Sequence, residues 1–255
     1  MSVLQIENIA MKYQDTNSEV NAIESISFDV NEGEFVSIVG PSGCGKSTLL
    51  SIICGLLEPT SGKIYIDGES TTGISPKVGY MLQKDNLLDW RTIRRNVLLG
   101  LEIRGELTGE NEAYADELLK TYGLYEFREH YPAQLSGGMR QRAALIRTLV
   151  TKPEILLLDE AFSALDYQTR LAVTDDVYQI IKKEHKTTIM VTHDIPESIS
   201  MSDRIVVLTK RPATIHNIHT VEFDDIKNRT PLACREDKNF SKYFNLIWKE
   251  LDVHV

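Results

Sequence analysis

Short apolar runs separated by turn residues mark the first eighty positions. Val3-Leu4-Gln5-Ile6-Glu7 alternates apolar with polar residues, as an edge strand does, and Ile23–Val30 alternates again. Asn31-Glu32-Gly33 reads as a turn into Phe35–Val39, whose near-continuous apolar character suits a strand buried on both faces. A glycine-rich stretch follows, then a predicted helix over Thr48–Gly55 and predicted strands at Gly62–Asp67 and Val78–Leu82. From Asn86 to about Val150 the spacing becomes helical, over Ile93–Leu101, Glu110–Tyr122 and Gly138–Val150, with no strand pattern between them. Strands resume at Ile155–Leu158, Thr187–Thr192 and Arg204–Leu208, with the helical stretch Tyr167–Glu184 among them.

Strands alternating with helices predict an α/β fold on a mainly parallel sheet, and the helical block reads as an insertion. The expected organisation is a core of residues 1–85 and 150–220, an inserted helical subdomain over 86–149, and a tail over 221–255. Beyond Lys210 the chain is polar and weakly patterned until Phe240–Leu251, a predicted helix.

Composition narrows the possibilities. Of 255 residues, 42% are hydrophobic and 25% charged, the proportions of a globular protein, which excludes disordered and fibrous classes. Acidic residues outnumber basic ones by 37 to 28, and a net charge of −9 argues against nucleic acid or anionic lipid as direct partners. Cys44, Cys54 and Cys234 are odd in number and unpaired in spacing, which points to a reducing compartment rather than a disulfide or zinc framework. His216 and His219 have no cysteine or acidic cluster beside them and read as surface residues. No run reaches the roughly 20 apolar residues of a membrane helix, and Met1–Ala10 lacks a signal-peptide pattern, so a soluble cytoplasmic chain is expected.

Gly40-Pro41-Ser42-Gly43-Cys44-Gly45-Lys46-Ser47 matches G-x-x-x-x-G-K-[ST], placed between a predicted strand and a predicted helix beginning near Thr48. Glycines let backbone N–H groups converge on phosphate oxygens, and a helix N-terminus favours their charge. Lys46 would reach the β- and γ-phosphates, and the Ser47 hydroxyl would ligate Mg²⁺. Four apolar residues, Ile155–Leu158, then deliver Asp159 at a strand end, where it would hold the same metal. Glu160, one step on, would polarise the attacking water as a general base. Ser136-Gly137-Gly138, opening another predicted helix, forms a second anion nest.

Two nests in one chain imply that one serves a nucleotide bound elsewhere, and here the sequence resembles the ATP-binding-cassette (ABC) ATPases, over roughly Met1 to Lys210. The resemblance implies a P-loop NTPase (RecA-like) core, an N-terminal antiparallel β region and the inserted helical subdomain. It further implies that Ser136–Gly138 completes the site of the opposite protomer in a head-to-tail dimer. By the same resemblance Tyr13 stacks on adenine, Gln83 contributes to catalysis and metal binding at the junction with the helical block, and His193 contacts the γ-phosphate. Ser163-Ala164-Leu165-Asp166 matches the dimer-contacting loop. Ala161, where many relatives carry proline, removes no functional group.

The 90 positions between Lys46 and Ser136 hold no heptads and no cysteine cluster, unlike the repair and chromosome members. A single cassette without membrane helices resembles the separate ATPase subunit of bacterial importers. Asn86–Ile93, Phe162–Arg170 and Phe244–Trp248 resemble the nitrate/sulfonate/taurine group, which includes relatives serving thiamine precursors. The implied partners are a second copy of the chain, two membrane-spanning permease subunits and, through them, a solute-binding protein, at the cytoplasmic face of the plasma membrane. A soluble ABC-type ATPase acting as a nucleotide-dependent switch is the contrasting reading. Leu87, Leu88 and Trp90 either fill the core of the helical block or line a groove for a helix of the membrane subunit.

Overall fold

The computed structural model describes residues 2–15, 18–223, 226 and 229–252. Its strands are β1 (Ser2–Asp15), β2 (Ser18–Asn31), β3 (Phe35–Val39), β4 (Ser61–Ile66), β5 (Glu69–Ser70), β6 (Val78–Met81), β7 (Ile155–Asp159), β8 (Thr187–Val191), β9 (Arg204–Leu208) and β10 (Ala213–Thr220). They form one sheet in the order β5-β4-β1-β2-β10-β9-β3-β8-β7-β6. The stretch β9-β3-β8-β7-β6 is parallel throughout, whereas β1, β2, β4 and β5 pair antiparallel. Between the two regions β10 runs antiparallel to β9 and makes a short parallel contact with β2.

Burial of both faces explains the apolar central strands: every residue of β3, β7 and β8 is buried. Phe35, Leu156, Leu158 and Met190 face the side packed by the helices α2 to α6 defined below, while Val36, Ile38, Leu157, Ile189 and Val191 face the N-terminal strands and the first helix. The helices are α1 (Lys46–Ile53), α2 (Ile93–Val97), α3 (Leu99–Arg104), α4 (Gly109–Thr121), α5 (Gly137–Leu149), α6 (Tyr167–Lys183), α7 (Ile195–Met201), α8 (Pro231–Glu236) and α9 (Phe240–Asp252). No strand lies between Met81 and Ile155, and no described helix is long and apolar enough to cross a membrane.

Several expectations need correcting. β1 is no edge strand, since β2 and β4 flank it; alternation reports which face is buried, not how many neighbours a strand has. The predicted helix over Ile93–Leu101 divides at Leu98 into α2 and α3. Beyond Lys210 the chain is more ordered than its polarity suggests, holding β10 and α8 as well as α9. β10 hides its pattern because His219 and Asn217 point at Glu250 of α9: His219 Nε2 lies 2.8 Å from one carboxylate oxygen, and Asn217 donates to the other at 3.1 Å. His219 is therefore largely covered, not a free surface residue. α7 has no counterpart among the predicted helices, because Glu197, Ser198 and Ser200 are buried together with Ile195, Ile199 and Met201 and blur its apolar stripe.

Candidate functional site

Gly40–Ser47 joins the end of β3 to the start of α1, so the loop's N–H groups and the helix N-terminus converge on one point. Gly45 adopts φ +114°, a conformation open essentially to glycine, immediately before the helix. At Gly40 any Cβ would come within 2.9 Å of Cys44 Sγ and 3.1 Å of Leu208 Cβ, so the loop's back is packed closed. Burial pushes the Cys44 thiol pKa up, and its N–H turns back to the Pro41 carbonyl at 3.3 Å. Lys46 is buried, and its ammonium donates to the carbonyls of Gly40 at 2.8 Å and Pro41 at 2.9 Å. Ser42, Gly43, Gly45, Lys46, Ser47 and Thr48, with Glu160 and His193 opposite, line a cavity of about 570 Å³. Gly40, Pro41 and Cys44 shape the loop from behind.

The acidic side of the cavity is set by adjacent strands. Ser47 Oγ donates to Asp159 Oδ1 at 2.9 Å, and the Tyr80 hydroxyl donates to Asp159 Oδ2 at 3.0 Å. Burial, followed by the Asp159 charge, pushes the Tyr80 phenol well above its usual range, so it stays a donor. Directly after β7 the backbone of Glu160 turns left-handed, φ +46°, which sends its carboxylate away from that of Asp159. Gln83 Nε2 donates to Glu160 Oε2 at 3.2 Å and to Ser163 Oγ at 3.1 Å, while His193 Nδ1 lies 3.3 Å from the same Glu160 oxygen. Lys46, Ser47, Glu160 and His193 thus line one cavity, with Asp159 hydrogen-bonded to Ser47 and Gln83 to Glu160 at its edge. Tyr13 stands at its margin, its hydroxyl 3.3 Å from Thr48 Oγ1.

Beneath His193 lies a polar layer invisible in the sequence pattern. The Thr192 hydroxyl donates to Glu197, which is only 3% exposed, and accepts from the Asp194 N–H at 3.0 Å. Burial pushes the Glu197 carboxyl up to about 7, opposed by the Thr192 hydrogen bond and by Arg170 and Arg235, and reinforced by Asp194. Because the folded-state value exceeds that of the unfolded chain, the unfolded form loses its proton first. Stability is therefore full below about pH 4.3 and declines as pH rises towards 7, by on the order of 3 kcal/mol. Urea unfolding at pH 5 and pH 7.5 should show this loss in the parent protein, and Glu197→Gln should remove it.

The second nest occupies different ground. Ser136 caps α5, its Oγ accepting from Met139 N at 3.3 Å, and with Gly137 it borders a separate cavity of about 500 Å³ shared with Asp85, Ala164, Leu165 and Asp166. Gly138 cannot carry a side chain there, because a Cβ would stand 2.7 Å from Val173 Cγ2. Ser136, Gly137 and Gly138 are absent from the lining of the Lys46 cavity. Arg147, from the same helix, donates to the carbonyls of Asp85 at 2.6 Å and Asn86 at 2.7 Å, anchoring the segment after Gln83. Sequence reasoning missed Tyr80, Arg147 and Glu197; for Tyr80, a phenol three residues before Gln83 on a strand beside β7 was the available signal.

Leu87 is buried, whereas Trp90 is 75% exposed, so the two halves of that apolar cluster have different fates. Asn96, fully buried, holds the intervening loop: its Nδ2 donates to the carbonyls of Leu88, Arg91 and Thr92, each at 3.1 Å, and its Oδ1 accepts from Leu88 N at 2.7 Å. Trp90 borders a cavity of about 500 Å³ with Arg94, Arg95, Leu98 and Leu107.

Comparison with known proteins bears on this geometry. The family model described as ABC transporter matches residues 23–163. An uncharacterized ABC transporter ATP-binding protein of Bacillus subtilis (strain 168), YtlC, is 46% identical over 252 residues, covering 99% of this chain and 96% of its own. A taurine import ATP-binding protein, TauB of Jannaschia sp. (strain CCS1), is 39% identical over 226 residues, 88% of this chain and 84% of that protein. Among solved structures, the ATP-binding cassette MJ0796, dimeric and bound to ADP and Pi in a post-hydrolysis state, is similar with a TM-score of 0.73. It is 34% identical, over 86% of this chain and 99% of that one.

Proposed function

Since this chain belongs to the ABC transporter family of ATP-binding cassettes, we propose that it is the ATP-hydrolysing subunit of an importer. It would work as a head-to-tail dimer beneath two membrane-spanning permease subunits that take their solute from a binding protein. The observation that carries the hydrolytic reading is that Glu160 and His193 line one cavity with Lys46 and Ser47, while Gln83 bonds to Glu160 and Asp159 accepts from Ser47. The taurine importer relative supports the transport reading, with a small solute of the nitrate, sulfonate or taurine kind or a thiamine precursor.

Each side chain has a chemical task in this reading. The N–H groups of residues 42–48 and the Lys46 ammonium bind the phosphates, and Tyr13 stacks on the adenine. The Ser47 hydroxyl, the Asp159 carboxylate and the Gln83 amide oxygen form a hard oxygen donor set that fits Mg²⁺. When bound, that ion offsets charge on the β- and γ-phosphates. Glu160 takes the proton of the water whose oxygen bonds to the γ-phosphorus as the bridge to the β-phosphate breaks. His193, beside Glu160, contacts the γ-phosphate. Ser136–Gly138 of the opposite protomer closes the site, and closure and reopening drive the permease between its two facing states.

Trp90 tests the transport half. Its exposure favours the groove reading over core filling, and a rigid aromatic anchor is a common hot spot of protein interfaces. Trp90→Ala should leave the ATPase rate and thermal stability of the isolated subunit intact while co-purification with the permease and solute uptake fall. Unfolding or loss of basal activity would place Trp90 in the structural core instead. Fractionation of the parent protein away from membranes would favour the soluble-switch alternative.

A further inference from the structure

Arg170, on the first turn of α6, joins two segments that both reach the nucleotide cavity. Its Nη1 donates to Asp194 Oδ2 at 3.1 Å, and its Nη2 donates to the Leu165 carbonyl at 2.9 Å. Asp194 directly follows His193. Its second carboxylate oxygen accepts from Glu197 N at 2.9 Å, and its own N–H is held by Thr192, so the histidine sits between two anchored neighbours. Leu165 belongs to the loop Ser163–Asp166, whose other end is tied to the same site. There Ser163 Oγ donates to the Glu160 carbonyl at 2.9 Å and accepts from Gln83. The loop also abuts the second nest, since a Cβ on Gly137 would lie 3.1 Å from Leu165 Cδ2.

We propose that Arg170 is a positioning residue for His193. By holding the Leu165 carbonyl and the Asp194 carboxylate with one rigid fork, it makes the place of the imidazole beside Glu160 depend on where the Ser163–Asp166 loop sits. The planar guanidinium suits this task because two of its N–H groups diverge in fixed directions; a lysine ammonium on a flexible stem cannot hold both partners in the same geometry. The proposal rests on the hydrolytic reading of His193 above. Through Gly137 and Leu165 it also connects the nest that serves one nucleotide to the histidine that serves the other.

The test compares single-turnover ATP hydrolysis and nucleotide affinity in the parent, Arg170→Met, Arg170→Lys, His193→Ala and the two combined variants. Arg170→Met should slow hydrolysis about tenfold and change nucleotide affinity less than about threefold, with Arg170→Lys falling between it and the parent. On the His193→Ala background, Arg170→Met should alter the residual rate by less than about twofold, because its effect passes through a side chain already removed. Equal losses on both backgrounds would assign Arg170 an independent structural role and overturn the proposal, as would a rate for Arg170→Met within about twofold of the parent. If Arg170→Met does not fold, Arg170→Lys is put through the same comparison. Parent-like hydrolysis by His193→Ala would instead sink the role of the histidine itself, a failure separate from that of Arg170.

Discussion

Glu160→Gln should lower ATP turnover by roughly 10²–10⁴, or ~3–5.5 kcal/mol of barrier, while nucleotide still binds. The amide keeps the shape of the carboxylate and can still accept from Gln83, so neither the left-handed turn at Glu160 nor the loop at Ser163 need move. What it loses is the capacity to take the proton from the attacking water. Lys46→Ala provides the contrast. Deleting the ammonium, which is buried against the Gly40 and Pro41 carbonyls, should remove the proposed charge partner of the phosphates and so weaken binding itself. Fluorescent-nucleotide titration and phosphate release separate the two cases, and near-parent turnover by Glu160→Gln would remove Glu160 as the base.

The second large effect is on assembly. On the proposed shared-site arrangement Glu160→Gln should dimerise when ATP is added, because the sandwich would form without hydrolysing its contents. Adding Ser136→Arg should abolish that dimer by placing a long cation where the partner's γ-phosphate must sit. Ser136 also caps α5, so part of any loss could come from the cap, which is worth about 1 kcal/mol. Ser136→Ala removes the cap without the bulk and should leave the dimer largely intact. Sedimentation with and without ATP reads all three. A monomer for Glu160→Gln alone over a range of salt would defeat the shared-site arrangement.

What could be read from the chain followed from how local each feature is. Phosphate binding by a loop needs glycines, a lysine and a hydroxyl within eight consecutive residues, so Gly40–Ser47 declares itself. The apolar run ending in Asp159 does the same, because a strand buried on both faces has no polar positions to spare. Contacts made by sheet order are less visible. Tyr80 meets Asp159 only because β6 lies beside β7 with Tyr80 opposite Leu157, a register no spacing rule reveals. Elements held by polar interiors were missed for a related reason. α7 buries Glu197, Ser198 and Ser200 beside Ile195 and Ile199, and β10 turns His219 towards Glu250, so in both the apolar periodicity is interrupted by polar residues. Alternation along β1 revealed its buried face but could not disclose the second neighbour that makes it interior.

The loop from Leu88 to Thr92 takes its shape from below, through the four hydrogen bonds of Asn96 to main-chain atoms. None of those bonds uses the side chain of Asp89 or Trp90. The frame and the displayed residues are thus separable in design terms. Under the docking role proposed for Trp90, residues at the tip should be exchangeable, to change which partner is recognised, without disturbing the fold that presents them. Asn96 itself has no such latitude, because both ends of its buried amide are engaged with main-chain atoms. A library varying positions 89 and 90 with Asn96 fixed would therefore test the proposed docking role of this tip while leaving its frame in place.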